Sequence, residues 1–460
     1  MLPGNRLARR SRRARPRVVI LVKSGLSHSA HVRKTATSLD RAGYEVLVLG
    51  AVREEGFETT GWQREDHFSA RVVAVPQLPL SRRHERAVRR RERLERRRDR
   101  IADRPAAGGP LQGVRRWCHD RLSRAAERAR ETEKRIRVED KARKERDDPL
   151  NLRRYEAAWW PLVRELRPDV VHSFDVSGLA VGRRAKRLGA RFVYEAHEPK
   201  RHVAETERES DARRQAAAHA AHADAVIAVT EPLAEVLVQQ LSLERPPPLV
   251  HCAPALGNGE LPERGLREAA GVGETTPLLV FAGLLARRRR PDIVLEAMTM
   301  LPELEFALAV RRDDPLTDEL LEQAEELGVS ERVHIVPKVP PGAVVNYIAG
   351  ADVGVIPWEC TAGKQLVLPN KLFEYLHAGL RMVVSDCAAQ ADFVRRYGLG
   401  ASAPMEDPEA WARAIERVLA TPRYRDDVPE WERLKREWSW EGQEEALLGV
   451  YRGLVDPAPR

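Results

Sequence analysis

The chain has 460 residues, 43% of them hydrophobic, and a formal net charge of +9. That length and apolar content suit two domains with separate cores. The lack of any run of about 18 apolar residues excludes a membrane-spanning helix, and the early run Val18 to Val22 is short even for a signal-peptide core, so the expected location is the cytoplasm. The four cysteines, Cys118, Cys252, Cys360 and Cys387, are scattered and fall in no CxxC spacing. This pattern indicates neither a disulfide framework nor a zinc site, and the expectation is ordinary reduced thiols.

The positive charge is concentrated. Residues 1–17 hold seven arginines and no acid, and residues 81–100 hold eleven arginines against four acids. The rest of the chain is mildly acidic. Two such segments point to an anionic partner, a membrane surface or nucleic acid, or serve solubility alone.

In chain order, a basic tail (1–16) is followed by "RVVILV", a short buried strand. A helix ending near Gly43 and a second strand, Glu45 to Leu49, complete a βαβ opening. A third strand is read at 70–76. Composition then changes abruptly: residues 81–150 are rich in Arg and Glu, and in their second half Leu111, Val114, Trp117, Leu122 and Ala125 recur at roughly helical spacing. This reads as an insertion, a long charged helical hairpin or a membrane-contacting element. Alternation resumes with "RPDVVHSFD" (167–175), "ARFVYEAHE" (190–198) and "ADAVIAVT" (223–230). The first α/β domain is expected to span 17–255, and a Pro- and Gly-containing linker 256–274. A second alternating series over 275–430 has strands at 277–285, 305–310, 332–337, 351–357 and 381–386. The fold class expected is therefore α/β, two doubly wound Rossmann-like domains with a ligand site where strand ends face a central crevice.

The strand-end residues carry the chemistry. Gly283 follows "LLVFA" and leads into Arg287 to Arg290 near a helix start, a cationic loop suited to a diphosphate. In "LVLPNKLFEYLHAGLRMVVSD" Pro369 and Asn370 open a helix that Gly379 ends. Its first turn holds Lys371, which opposes the helix dipole unless an anion lies beside it, and Glu374 shares its face.

This stretch resembles the nucleotide-sugar signature of glycosyltransferase family 4, retaining enzymes of the GT-B fold. "FAGLLARRRRPDIVLEAM", "VHSFD", "VYEAHE" and "WSWEGQEEALLGVYRGL" resemble further family pieces in the same order, covering roughly 17–80 and 155–455. The resemblance implies a C-terminal segment (431–460) returning to the first domain. It implies that Glu374 binds the ribose hydroxyls of a donor nucleotide, a carboxylate being able to accept from a vicinal diol. Lys371 and Arg289 correspond to the basic positions that neutralise the diphosphate leaving group. Arg288, Asn370 and Ser385 go with the donor side, and His197 with the histidine facing the reacting sugar. Gly25 corresponds to the loop where backbone nears donor phosphate or acceptor. Read from the residues, His172 and Asp175 end a neighbouring strand and fit either the acceptor side or a polar cap on a buried strand, and His28 fits an acceptor-facing or surface position. The partners implied are a nucleotide-diphosphate sugar as co-substrate and a glycan or lipid-linked acceptor, with no further cofactor. Two positions depart from the family: Leu366 where an acid is common and Leu284 where an arginine is, the latter leaving Arg287 or Arg288 as substitutes.

From the residues alone, Glu374 also fits an exposed helix carboxylate, and His197 a structural hydrogen-bonding group. His28 and His31 have a spacing that suggests a metal, but no carboxylate or cysteine accompanies them in sequence, so acceptor-facing or surface roles are expected and no metal is. Two other functions fit parts of the chain. One is a nucleotide-sugar epimerase of the same fold. The other is a nucleic-acid-binding protein using the Arg-rich segments, which lack aromatic residues for base stacking over 81–100.

Overall fold

The computed structural model describes residues 15–23, 30–52, 59–76, 81–102, 111–197, 206–257 and 259–455. Gly25 and His28 lie outside the described residues. Seven strands form the first sheet: β1 (Arg17–Val22), β2 (Glu45–Val52), β3 (Gln63–Arg64), β4 (Ser69–Ala74), β5 (Val170–Phe174), β6 (Arg191–Ala196) and β7 (Ala225–Ala228). Their order is β3-β4-β2-β1-β5-β6-β7. All neighbours run parallel except the two-residue β3, which pairs antiparallel with β4. The second sheet contains β8 (Leu278–Ala282), β9 (Glu305–Ala309), β10 (Val333–Val336), β11 (Val353–Ile356), β12 (Arg381–Ser385) and β13 (Gly400–Ala403). Its order is β10-β9-β8-β11-β12-β13, all parallel.

Continuous apolar runs such as "VVILV" and "LLVFA" adopt this arrangement because helices cover both faces of each parallel sheet, so every side chain of the strand is buried. The expected pair of doubly wound sheets is what the chain forms. In each, strand order reverses at one place, between β1 and β5 and between β8 and β11, and the loops leaving those strands diverge to open a crevice. Strand β3 was not foreseen; two exposed residues offer no alternation to detect.

The insertion is a hairpin of two helices, Arg82–Ala102 and Leu111–Asp147. Arg83 pairs with Glu139, Arg91 with Glu133 and Arg130 with Glu95, which fixes an antiparallel register. Ala126, Ala129 and Ile136 are buried, whereas Val114 and Trp117 are exposed.

The C-terminal segment divides differently from the expected boundary. The helix Val428–Glu437 packs on the second domain, where Leu434 is fully buried and the Trp431 indole donates to the Leu376 carbonyl. The chain then recrosses, and the helix Trp440–Arg452 covers the first sheet. There Trp440 donates to Ser38 Oγ at 2.9 Å and Tyr44 donates to the Val455 carbonyl at 2.9 Å. Burying Leu447 and Tyr451 at this junction contributes on the order of 2 kcal/mol each. The linker passes beside it, the Pro254 carbonyl accepting from Trp440 N at 2.7 Å.

The cysteine expectation needs correction. Cys360 and Cys387 form a disulfide with Cα atoms 5.2 Å apart, while Cys118 and Cys252 are free. Sequence spacing hid the pair because its cause is tertiary: β11 and β12 are neighbours, with Ile356 opposite Val384, so the loops leaving them run side by side.

Candidate active site in the interdomain crevice

The second domain brings its cations together around a glycine. Gly283 leaves β8 with φ of +143°, a conformation that L side chains rarely adopt. A Cβ there would lie 3.2 Å from Lys371 Cε and 3.9 Å from Arg289 Nη1, so the bare backbone is what lets both cations approach. Lys371 rises from the first turn of the helix Asn370–His377, and Arg289 from a short 3-10 turn, Arg287–Arg289. The Arg289 guanidinium also lies 5.4 Å from the ring centroid of Trp358, with Lys364 Nζ at 3.5 Å from the same ring. Burial pulls the Arg289 pKa below its ordinary value, yet a guanidinium remains protonated. Two cations, Arg289 and Lys364, therefore flank one indole at the switch point between β8 and β11, with Lys371 beside Arg289 at Gly283.

The anion beside Lys371 is Glu374, one turn along the same helix and half-buried with it. Both side chains are about one-fifth exposed, so the pair is partly desolvated rather than a solvated surface contact. The helix is seated by Tyr375, whose hydroxyl donates towards the carbonyls of Val280 and Val355 at 3.1 and 3.3 Å. Gly354 makes this possible: a Cβ there would stand 2.4 Å from the Tyr375 ring.

Not every predicted donor residue joins them. Arg288 is exposed and faces Glu359, next to Trp358, at 3.6 Å, and Arg287 is exposed and pairs with Glu319 at 2.9 Å. Asn370 is exposed at the helix start and reaches the Cys252 thiol. Ser385 is fully buried: its hydroxyl accepts from Trp358 N at 3.1 Å and from Gln390 Nε2 at 2.7 Å. It holds the Trp358 loop instead of facing a ligand, because the last residue of β12 points into the second core.

Across the crevice, the first domain presents the ends of β1, β5 and β6. Lys23 lies 3.6 Å from Asp175. Asp175 has φ of +67° and ψ of −172°, a region that only glycine enters freely, at a cost of about 1–3 kcal/mol. Its carboxylate accepts from Ser177 N at 2.7 Å and its amide donates to the Glu195 carbonyl at 3.0 Å, which hold it there. His197 is about one-quarter exposed at the end of β6. His172 is fully buried, the polar cap on a buried strand rather than an acceptor-lining residue, and His31, expected to face the acceptor or the surface, is buried with 5% exposure. Both turn towards Glu195, the carboxylate that their sequence neighbourhood did not show: the strand period of two sets Val193 and Glu195 on the face covered by the helix Ala30–Arg41. The donor atoms of His31, Glu195 and His197 all lie within 4.8 Å of one another, the grouping that can hold a metal among the described residues.

The two halves meet. Thr230, after β7, donates to the Leu366 carbonyl at 2.6 Å, so the position where the family commonly has an acid contributes an interdomain backbone contact here. Cys252, just before the linker, is influenced electrostatically by both Glu374 and Glu195, and burial pushes its thiol up to about 11, so it stays protonated. Hollows elsewhere, such as one of about 420 Å³ lined by Arg381, Arg395 and Arg417, lie at the opposite, amino-terminal edge of β12.

Sequence reasoning missed Lys23, Glu195, Trp358 and Lys364. Trp358 was detectable as the first large residue after the strand "VGVIP"; Lys364 carries no comparable signal.

Comparison with known proteins finds a family match in each domain. Residues 263–433 match the family described as glycosyl transferases group 1, and residues 114–252 match glycosyltransferase family 4. The D-inositol 3-phosphate glycosyltransferase of Thermobifida fusca is 26% identical over 200 residues, 40% of this chain and 44% of that one. The enzyme of the same name from Xylanimonas cellulosilytica is 26% identical over 257 residues, 52% and 59% of the two chains. The chain thus spans about half the length of the curated relatives it matches. In structure, sucrose-phosphate synthase from Thermosynechococcus elongatus superposes with a TM-score of 0.66 at 17% identity, covering 96% of this chain and 99% of that one. Anabaena HepE in complex with UDP and glucose gives 0.60 at 12%, covering 95% and 100%. With one such match in each domain, the chain is recognised as a glycosyltransferase similar to family 4, and its fold is GT-B.

Proposed function

We propose that this protein transfers a sugar, with retention, from a nucleotide-diphosphate donor to an acceptor hydroxyl in glycan, polysaccharide or glycolipid assembly. The observation that carries the proposal is the convergence of Lys371 and Arg289 on Gly283, with Glu374 one turn along the same helix. Two fixed cations match a diphosphate, and a carboxylate about 5 Å further along a helix matches the ribose that precedes it. On donor binding Lys371 passes from Glu374 to the diphosphate, and Glu374 takes the ribose hydroxyls. When the glycosidic bond breaks, the growing charge on the departing phosphate oxygens falls between Lys371 and Arg289, which supply the positive charge there without a further cofactor. Lys23, Asp175 and His197 face this point from the first domain and take the acceptor side. The names of the relatives, D-inositol 3-phosphate glycosyltransferases, support a polyhydroxyl acceptor.

The donor assignment is tested by thermal shift with UDP, GDP, ADP and their sugars. One of these at 100 times its Kd adds about 2.7 kcal/mol of stability. Glu374→Ala removes charge-assisted hydrogen bonds worth about 1.5–3 kcal/mol each, so the shift of the variant at the same ligand concentration is expected to vanish nearly completely. A variant responding like the wild type would place the nucleotide elsewhere.

We further propose that the Arg-rich hairpin meets an anionic membrane surface on the cytoplasmic side and brings the site to a lipid-linked acceptor. Among the described residues no helix is long and apolar enough to cross a membrane. Near the hairpin turn Val114 and Trp117 are 57% and 55% exposed, and the Arg121 guanidinium lies 5.1 Å from the Trp117 ring centroid. An exposed aromatic beside an arginine, on a hairpin rich in basic residues each worth about 1 kcal/mol near anionic lipid, supports this mode. Flotation with phosphatidylglycerol vesicles is expected to recruit the protein and phosphatidylcholine vesicles are not; equal behaviour on both rejects the membrane contact.

A further inference from the structure

Glu195 has no exposed surface and, among the described residues, no lysine or arginine within salt-bridge distance; its partners there are three imidazoles. Its Oε1 is 2.5 Å from His197 Nε2 and 2.9 Å from His31 Nε2, and its Oε2 is 3.1 Å from His172 Nε2. His172 Nδ1 in turn meets the Tyr451 hydroxyl at 2.7 Å, on the helix that returns from the second domain. Rings complete the packing. His31 stands edge-on to His197 at 4.6 Å and to Trp440 at 5.4 Å, and Phe174 stacks on His197 at 5.1 Å. Burial alone would raise the carboxyl's pKa, but the pull of His31 and His197, the nearby His172 and the hydrogen bond from His197 hold it well below the usual range. The group is a buried carboxylate, and such a charge is kept only where its partners are precise.

Two arrangements use such a cluster, and distances separate them. Donors bound 2.0–2.2 Å from one tetrahedral ion stand about 3.3 Å apart. Here Oε1 is 2.5 Å from His197 Nε2, a direct N–H···O bond too short for two ligands of one ion, whereas His31 Nε2 at 2.9 Å and His172 Nε2 at 3.1 Å lie within ion-pair distance of the carboxylate without hydrogen-bond geometry. Glu195 itself is sealed, whereas His197 keeps about one-quarter of its side chain exposed. The bonded Nε2 edge therefore points inward and the rest of the ring lies towards the crevice.

We infer that Glu195 is a positioning residue for sugar transfer: it accepts the Nε2 proton of His197, fixing that ring's tautomer and its place opposite the donor, while His31, His172 and Tyr451 hold the carboxylate still. No bond is made or broken at Glu195. The inference rests on the glycosyl-transfer reading above. It adds that the C-terminal helix, through Tyr451 and His172, is mechanically continuous with the residue facing the sugar.

The test combines kinetics with an activity-independent measurement. In nitrogen-15 spectra of histidine-labelled protein, wild-type His197 is expected to show the Nε2–H tautomer, and Glu195→Gln to shift it towards a mixture. This readout survives even if the protein proves not to be a transferase, which the nucleotide screen decides separately. In turnover, Glu195→Gln is expected to lower kcat by about 10- to 100-fold with the donor KM within about twofold, the size of a small misplacement. The double variant Glu195→Gln/His197→Gln is expected to be no slower than His197→Gln alone. Multiplied losses in the double variant, an unchanged His197 spectrum, or a stoichiometric metal that is lost on His31→Gln would each overturn the inference. If Glu195→Gln does not fold, Glu195→Asp keeps the charge and withdraws it from the rings, and the same cycle and spectrum apply.

Discussion

Lys371→Ala and Arg289→Ala are each expected to lower kcat by about 10²- to 10³-fold, equivalent to about 3–4 kcal/mol of transition-state stabilisation. Both cations stand beside Gly283, where no side chain intervenes between them and a ligand. Their attraction for the diphosphate is stronger after the glycosidic bond has stretched than before, because the bridging oxygen gains charge during the step. Loss of either cation therefore falls on kcat more than on donor affinity. The double variant is expected to lose less than the product of the two, since both act on one group. Arg287→Ala is the control. Its guanidinium is exposed and paired with Glu319, an interaction worth at most about 1 kcal/mol, so the rate should stay within a few-fold. Steady-state kinetics with a saturating donor measure all four. If Arg287→Ala matched Arg289→Ala, the inward-facing cation would be misassigned.

The second large effect is on stability in acid. His251 is packed between Phe373 and Trp438, with ring centroids 5.5 and 5.0 Å away, and burial lowers its pKa to about 4. His377 faces the Trp438 carbonyl through Nε2 at 3.0 Å, and burial likewise takes it down to about 4. Both are neutral in the folded protein at neutral pH. An unfolded histidine takes up a proton near pH 6.5, so between about 6.5 and 4 the unfolded chain binds more protons than the folded one. Stability therefore falls as pH drops through that window, by on the order of 2 kcal/mol per histidine at pH 5. Urea unfolding at pH 7.5 and pH 5 measures the loss. His377→Gln keeps a donor for the Trp438 carbonyl and is expected to flatten the dependence by roughly half; an unchanged slope would remove His377 from the account. Both histidines flank Trp438, where the chain recrosses between domains, so the acid-sensitive point is the junction on which the crevice geometry depends.

Strand runs such as "VVILV" and "LLVFA" were legible because a doubly covered parallel strand must be apolar at every position, and that constraint is local. The donor helix was legible for a related reason. Pro369, Lys371 and Glu374 are neighbours along one helix, so their relation is set by a fixed rise per residue and does not wait for tertiary folding. The resemblance put Arg288 and Ser385 on the donor side as well; in the structure Arg288 is exposed beside Glu359, and alternation along β12 sends Ser385 inward.

By itself, then, the sequence determined two Rossmann-like sheets, an Arg-rich insertion and one half of the site, because each depends on periodicity or on residues a turn apart. Only the tertiary structure decided what lies between distant strand ends. Lys23 meets Asp175, Cys360 bonds to Cys387, and Glu195 gathers His31 and His172 from two other places in the chain beside His197 at the end of its own strand. Such pairings follow from strand order and register, and a carboxylate in an apolar strand signals its partners only once neighbouring strands have been laid beside it.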